Sequence, residues 1–469
     1  MGNLRIHPLL REMAYIFTGA GKEVYLVGGA VRDIFLGRDS ADWDLATNAR
    51  PEEVMGLFKR VIPTGIRHGT VTVRHRGLSV EVTTFRTESQ YSDGRRPDTI
   101  QYASTIEEDL SRRDFTMNAA AVRLPEGRIV DPFDGHGDIR RRLIRCVGRA
   151  EERFAEDGLR PMRAVRFAAQ LGFDLEDKTL AAIPGALDTT AKVAPERLRE
   201  ELDKTIAAPM PQTGFIVMEE TGLLKLILPE LDACRGVEQR GYHRYDVLDH
   251  SLFACAYAAK KGFSTEVRMA ALFHDLGKPA AARKDEERGI WTFYKHEQES
   301  VRLTEGILRR LRYPNAVIER VLRLIREHMF HYEETWNDAA VRRFIIRAGE
   351  DLIPCLLQLR LADSAGTLGI EPDPAILLPF RRRIEASLAK TGALSLKDLA
   401  VNGRDLMAAG VAPGRHVGII LGELLEAVVE DPDLNTREKL LEIAGNINKR
   451  YQEKPVPGDP HHPGPRPAG

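Results

Sequence analysis

The sequence is poor in cysteine, carries no surplus of either charge and contains no long apolar run, and each absence excludes a class of protein. Four cysteines (Cys146, Cys234, Cys255, Cys355) lie far apart with no C-x-x-C pair, which excludes a zinc ribbon and a disulfide framework. A reducing cytosol is the natural setting. Lys plus Arg number 68 against 69 Asp plus Glu, a formal net charge of −1. No global excess therefore announces a nucleic-acid partner, and any such partner must be held by local patches. No stretch reaches the roughly 20 apolar residues that span a bilayer, and residues 1–7 lack the basic-then-apolar run of a signal peptide. The expectation is a cytoplasmic protein with no membrane partner. What is present is an ordinary globular composition, 43% hydrophobic and 29% charged. At about 150 residues per domain, the length predicts about three compact units.

The first third alternates short β-rich runs with helical ones. Residues 24–27 form an apolar run ending in Gly28-Gly29, residues 71–74 and 79–85 read as strands, and residues 129–130 start another. From about Ala150 apolar residues recur at helical spacing, as in Met162, Val165 and Ala169 or Leu322, Ile325 and Met329. Breaks fall at Pro195, Pro229, Pro279 and Pro354. The Pro-, Gly- and His-rich residues 455–469 cannot build a core and read as a disordered tail.

The strongest chemical signal is Leu26-Val27-Gly28-Gly29-Ala30-Val31-Arg32-Asp33 followed by Asp42-Trp43-Asp44-Leu45. In a strand, Asp42 and Asp44 share a face, so two carboxylates can hold divalent metals there. Gly28 and Gly29 let backbone N–H groups approach a polyphosphate, and Arg32 adds charge-assisted contacts. A third carboxylate, Glu81, stands in the run 80–86, expected on a neighbouring strand. Metal-assisted nucleotidyl transfer uses such a cluster: one ion lowers the pKa of an attacking 3′-hydroxyl and a second steadies pyrophosphate, the two about 3.5–4 Å apart. A lone Gly-Gly is usually a turn and a lone Asp-x-Asp usually solvated; their joint spacing is the informative feature.

The pair of strings resembles the signature of the class II tRNA nucleotidyltransferase and bacterial poly(A) polymerase family. Ser111-Arg112-Arg113-Asp114-Phe115-Thr116-Met117-Asn118 resembles the family's second motif, which implies that Arg113, Asp114 and Asn118 contact the ribose and phosphates of the incoming nucleotide. Residues 131–138 resemble its hinge. Residues 156–167 resemble the segment in which Asp157 and Arg160 hydrogen-bond CTP or ATP in a Watson–Crick-like manner, with Arg163 beside them. On spacing alone, Asp157 and Arg160 are neighbours on one helix face and could equally form an ion pair. Pro161 places the start of that helix close to Asp157 or Gly158. Residues 194–204 resemble a motif that braces this segment through ion pairs, a structural role for Glu196 and Arg197. Between residues 140 and 166 there are nine arginines against four acids, the local patch that the net charge conceals.

A second constellation, His250, His274-Asp275 within Leu272-Phe273-His274-Asp275-Leu276-Gly277-Lys278-Pro279, and Asp363, resembles an HD phosphohydrolase domain. Imidazole and carboxylate donors suit Ni, Mn, Fe or Mg. His296 and His328 fall where better-equipped members carry extra ligands, although a lone helical histidine is more often structural. Residues 401–407 and 412–418 resemble the C-terminal region of bacterial CCA-adding enzymes that hold the tRNA acceptor arm.

The resemblance, which spans about residues 24–445, implies an α+β multidomain chain. A small α/β nucleotidyltransferase head of the polymerase-beta-like kind (1–140) precedes an all-helical neck with the base-selecting motif (141–235). An HD domain (236–375), a helical tail region (376–454) and a disordered end (455–469) follow. The implied activity is template-independent addition of CCA to the 3′ end of tRNA, using CTP, ATP and two Mg²⁺ ions at the head. A divalent ion such as Ni, Mn or Mg is expected at the HD site. A-only addition, poly(A) synthesis and non-catalytic RNA binding are the alternatives. Residues 85–97 resemble the flexible loop associated with the switch to ATP, which CC-only enzymes lack, and this disfavours CC-only addition. The oligomeric state is left open.

Overall fold

The structure, a computed structural model, describes residues 6–453 apart from 41, 90–98, 240–243, 286, 288, 289 and 392–394. The centre of the expected loop at 85–97 and the tail at 455–469 lie outside the described residues. The chain forms two compact units, Met1–Ile325 with Ala362–Ile370, and Arg326–Leu361 with Glu371–Gly469.

The first unit opens with strands β1 (Val24–Val27), β2 (Asp44–Thr47), β3 (Val61–Gly65), β4 (Thr70–His75) and β5 (Leu78–Thr84). There follow β6 (Arg86–Ser89), β7 (Thr99–Tyr102), β8 (Ala121–Leu124) and β9 (Arg128–Val130). Seven of these make one sheet in the order β3-β4-β5-β2-β1-β8-β9, while β6 and β7 form a separate hairpin. All pairs in the large sheet are antiparallel except β2 with β5.

The continuous apolar run of β1 follows from its central place. Val24 and Leu26 enter one core, with helix Pro8–Gly19 beneath, whereas Tyr25 and Val27 enter a second core with Phe85, Ile106 and Leu110. A strand covered on both faces needs no polar alternation. In β5 the alternation returns: Val80 and Val82 are buried and Glu81 is exposed. Each buried Val or Leu side chain contributes about 1.5–3 kcal/mol of transfer free energy.

Beyond Ala150 the unit is mostly helical. Pro195, Pro229 and Pro279 each occupy a first turn, and Pro354 is the second residue of helix Ile353–Leu368, so the breaks are helix starts. Helix Arg160–Leu171 ends at Gly172, whose φ of +64° is left-handed. The helical part is interrupted by two short strand pairs that sequence reading did not anticipate. Leu143–Ile144 pairs with Asp174–Leu175, and Arg283–Asp285 pairs with Ile290–Thr292. Both are too short to show a period of two above the surrounding helical pattern.

In the second unit, helices Arg415–Glu430 and Arg437–Glu453 bury Ile420, Leu424, Leu440 and Ala444 together. The buried guanidinium of Arg342 donates to the carbonyls of Val429 (2.6 Å) and Glu430 (3.0 Å), capping the C-terminal end of helix Arg415–Glu430. Leu322 and Ile325 are buried as expected, but Met329 is exposed because helix Asn315–Glu327 ends before it. Among the described residues no helix is long and apolar enough to cross a membrane.

Candidate active site

The carboxyl end of β1 opens a cleft of about 770 Å³. At the turn out of β1, Gly28 has φ +73°, a conformation that an L side chain rarely adopts. A Cβ there would stand 3.3 Å from Asp44 Oδ2 and 3.4 Å from Arg113 Nη1. Asp44 is the first residue of β2 and pairs in parallel register with Glu81 of β5, which places Glu81 beside it on the sheet. Asp42 lies in the link before β2 rather than in the strand, and it shares the cleft lining with Asp44; Glu81 does not line the cleft. Burial raises the Asp44 carboxyl to about 6, with the charges of Asp42 and Glu81 adding to the effect and Arg113 opposing it. Crowded negative charge of this kind fits a divalent cation.

The opposite wall is a relay of four expected residues. Arg32 Nη1 donates to Asn118 Oδ1 at 3.1 Å, and Asn118 Nδ2 donates to Asp114 Oδ1 at 3.2 Å. Asp114 Oδ2 then meets Arg163 Nη2 at 2.6 Å. Burial alone would raise the Asp114 carboxyl, but the Arg163 guanidinium, with hydrogen bonds from Arg163 and Asn118, brings it down to about 2. Arg113 is fixed by the buried Asp109 at 3.2 Å. Seven arginines line the cleft against four aspartates, so the wall suits a polyphosphate.

Asp157 and Arg160 both reach the cleft, but not from one helix face. Helix Ala150–Glu156 ends at Asp157, which is extended (φ −138°, ψ 107°), and a new helix begins at Arg160. Spacing of three residues implies a shared face only where the helix is continuous, and Pro161 in the first turn marks the restart. Their side chains accordingly choose other partners. Arg197 Nη2 meets Asp157 Oδ2 at 3.1 Å, which is the bracing expected of Arg197. Arg160 Nη1 meets Glu156 Oε2 at 2.6 Å, and Arg160 also donates to the carbonyls of Arg153 and Arg112. Glu196 pairs instead with Arg312.

Sequence reasoning did not single out several cleft residues. Arg112, Arg166 and Phe167 lie inside the strings already noted, and the Phe167 ring gathers three guanidiniums, those of Arg166, Arg32 and Arg163, at 4.1, 5.4 and 5.7 Å. Arg166 is in turn held by the buried Glu201 at 2.6 Å. His68 and Arg86 also line the cleft, and nothing in their local sequence marks them.

A second centre is buried in the same unit. His250 Nε2 and His274 Nε2 lie 3.0 Å apart; His250 is 3.2 Å from Asp275 Oδ2 and 3.4 Å from Asp363 Oδ1. His296 Nε2 stands 3.1 Å from Asp275 Oδ1, and Lys278 Nζ 2.6 Å from Asp275 Oδ2. Nδ1 of His274 donates to the Ala271 carbonyl and Nδ1 of His296 to that of Phe293, which turns both Nε2 atoms towards Asp275. Burial opposes the charges of Asp275 and Asp363, yet His274, with Lys278 beside Asp275, holds both carboxyls well below the usual range. Converging imidazole nitrogens and ionised carboxylates fit a divalent ion. His328, also buried, follows helix Asn315–Glu327 in the second unit.

Three family models match the chain: Poly A polymerase head domain over residues 24–145, Probable RNA and SrmB- binding site of polymerase A over 172–235, and HD domain over 243–366. The chain is similar to the CCA-adding enzyme of Levilactobacillus brevis, 36% identical over 423 residues, which cover 90% of this chain and 93% of that protein. The CCA-adding enzyme of Limosilactobacillus fermentum is 35% identical over 433 residues, 92% of this chain and 94% of that protein. The crystal structure of the Bacillus stearothermophilus CCA-adding enzyme in complex with CTP is similar with a TM-score of 0.73 and 32% identity, covering 96% of this chain and 100% of that one.

Proposed function

The chain belongs to the family of CCA-adding enzymes, and from that premise we infer that it extends the 3′ end of tRNA with CTP and ATP without a nucleic-acid template. The observation that carries the reading is the single cleft in which an acidic floor, Asp42 and Asp44, faces the Arg32–Asn118–Asp114–Arg163 relay and the pair Asp157 and Arg160. Full CCA addition is favoured over A-only addition and poly(A) synthesis because relatives matched over nine-tenths of this chain are CCA-adding enzymes.

In this reading Asp42 and Asp44 would hold two Mg²⁺ ions, with Glu81 the neighbouring carboxylate on β5. When bound, these ions activate the RNA 3′-hydroxyl and neutralise charge on the departing pyrophosphate. The oxygen of that hydroxyl bonds to the nucleotide α-phosphorus as the bond to the β-phosphate oxygen breaks. Gly28 and Gly29 leave room for the triphosphate, and Arg32 and Arg113 donate to it. Asp114 and Asn118 orient the ribose, with Arg163 fixing Asp114 in its ionised form. Asp157, braced by Arg197, accepts at the base edge, and Arg160 donates there in exchange for its present partner Glu156; a bidentate contact discriminates by about 1–3 kcal/mol.

The proposed division is a head at 1–140, a neck at 141–235, an HD domain at 236–375, a helical tail region at 376–454 and an end segment at 455–469. In the HD domain His250, His274, Asp275 and Asp363, with His296 and His328 as further candidates, would hold Ni, Mn or Mg for a secondary phosphohydrolase activity. Four free cysteines support a cytoplasmic setting.

The test uses tRNA transcripts ending before CCA, after C and after CC, each with CTP, ATP or both, followed by sequencing of the products. All three are expected to be completed to CCA. If only the transcript ending in CC is extended, full CCA addition is excluded.

A further inference from the structure

A hairpin stands directly on the His-Asp centre, and neither the fold nor nucleotide addition accounts for its side chains. Its strands are Arg283–Asp285 and Ile290–Thr292, with Lys284 directly across from Trp291. The return strand runs into the centre through Phe293. The Phe293 carbonyl accepts from His296 Nδ1 at 2.8 Å, and Lys278 Nζ lies 5.7 Å from the centroid of the Phe293 ring. The same ammonium is 2.6 Å from Asp275 Oδ2. In extended chain, residues two apart share a face, so Trp291 carries the Phe293 face outward from the buried cluster. Trp291 is 38% exposed and Tyr294 83% exposed. Between Tyr294 and His296 the chain turns at Lys295, a non-glycine residue with φ +60°, the kind of costly conformation that surrounding structure retains at ligand sites.

A lysine directly across from a tryptophan joins a flat π-face to a positive charge. That combination suits a nucleobase whose phosphate is held nearby. We propose that the hairpin is a stacking platform: Trp291, with Tyr294, receives the base of a ligand whose phosphate lies at Lys278 and the His-Asp cluster. The ligand is therefore a phosphorylated nucleoside, either a free mononucleotide or the last nucleotide of an RNA. The proposal rests on the reading of the cluster as a phosphohydrolase centre.

Calorimetric titration of the full chain tests it, with adenosine 3′-monophosphate, ribose 5-phosphate and a short single-stranded RNA ending in a 3′-phosphate as probes. Trp291→Ala combined with Tyr294→Ala is expected to weaken the nucleotide about tenfold, to leave ribose 5-phosphate unchanged, and to leave CTP and ATP addition at the head unchanged, which also shows that the variant is folded. Trp291→Phe retains most of the affinity. A larger loss for the RNA than for the mononucleotide assigns the platform to an RNA end; the reverse assigns it to free nucleotides. If the double variant binds every probe as the wild type does while His274→Ala weakens all of them, the platform is wrong and the phosphohydrolase reading stands. If His274→Ala leaves ribose 5-phosphate binding untouched, the phosphohydrolase reading fails and the proposal falls with it.

Discussion

The two centres of the first unit are built from similar donors in opposite ways. In the head, Asp42 is exposed, Asp44 half-buried, and the cleft of about 770 Å³ is lined mostly by polar side chains. In the helical part, His250, His274, Asp275 and His296 are almost fully buried, and backbone carbonyls fix two of the imidazoles. An open acidic floor opposite seven arginines suits a site that fills and empties a triphosphate at every turnover. A buried cluster whose ligands already converge suits a resident ion. The electrostatics follow the same division. Asp44 is pushed up to about 6 because burial and two neighbouring carboxylates outweigh Arg113, whereas Asp275 and Asp363 are held low by the imidazoles they face.

The sharpest way to break the comparison is to remove a head carboxylate. Asp42→Ala is expected to lower CCA addition by about a thousandfold or more, the scale of losing a group that stabilises developing charge. The metal content of the purified protein, measured by mass spectrometry, is expected to be unchanged, because the proposed resident ion belongs to the buried centre. Rate retention would refute the assignment of the acidic floor. The converse variant, His274→Ala, is expected to weaken retention of that ion by about a hundredfold while addition at the head proceeds as before. Metal-binding isotherms and addition rates on the same preparation check both halves. A parallel loss of addition would mean that the two centres are not independent.

How far these sites were legible in the sequence depended on whether their geometry is local. Gly28-Gly29, Asp42-x-Asp44 and the string 113–118 lie in short segments whose side chains meet through one turn or one strand, and the structure brings them to one cleft. Glu81 needed strand register: β2 pairs with β5 so that Glu81 lies beside Asp44, but Glu81 does not line the cleft. Asp157 and Arg160 were placed on one helix face because spacing cannot reveal that a helix stops at 156 and restarts at 160. Their real partners, Arg197 and Glu156, differ in kind: Glu156 is four residues from Arg160, but Arg197 is forty residues from Asp157, a contact no local pattern encodes. His68 and Arg86 enter the cleft only through the folding of β5, β6 and the short helix Ile66–His68, so nothing short of the tertiary structure could find them.

The smallest expected effect concerns that long-range contact. Arg197 and Asp157 are both partly exposed, and ion pairs of this kind contribute about 0–1 kcal/mol. Arg197→Ala should therefore cost little stability and leave the maximal rate of C addition near that of the wild type. Without the guanidinium, however, the Asp157 carboxylate keeps, among the described residues, the Leu159 amide at 3.0 Å as its one hydrogen-bond donor. Discrimination between CTP and UTP should fall a few-fold, seen as a rise in KM for CTP and more frequent UTP incorporation, because an acceptor that wanders serves every base alike. Loss of maximal rate with selectivity intact would instead assign Arg197 to holding the neck together. The same measurement separates the two centres once more, since the buried cluster lies on other helices and the ion proposed for it should be indifferent to the change.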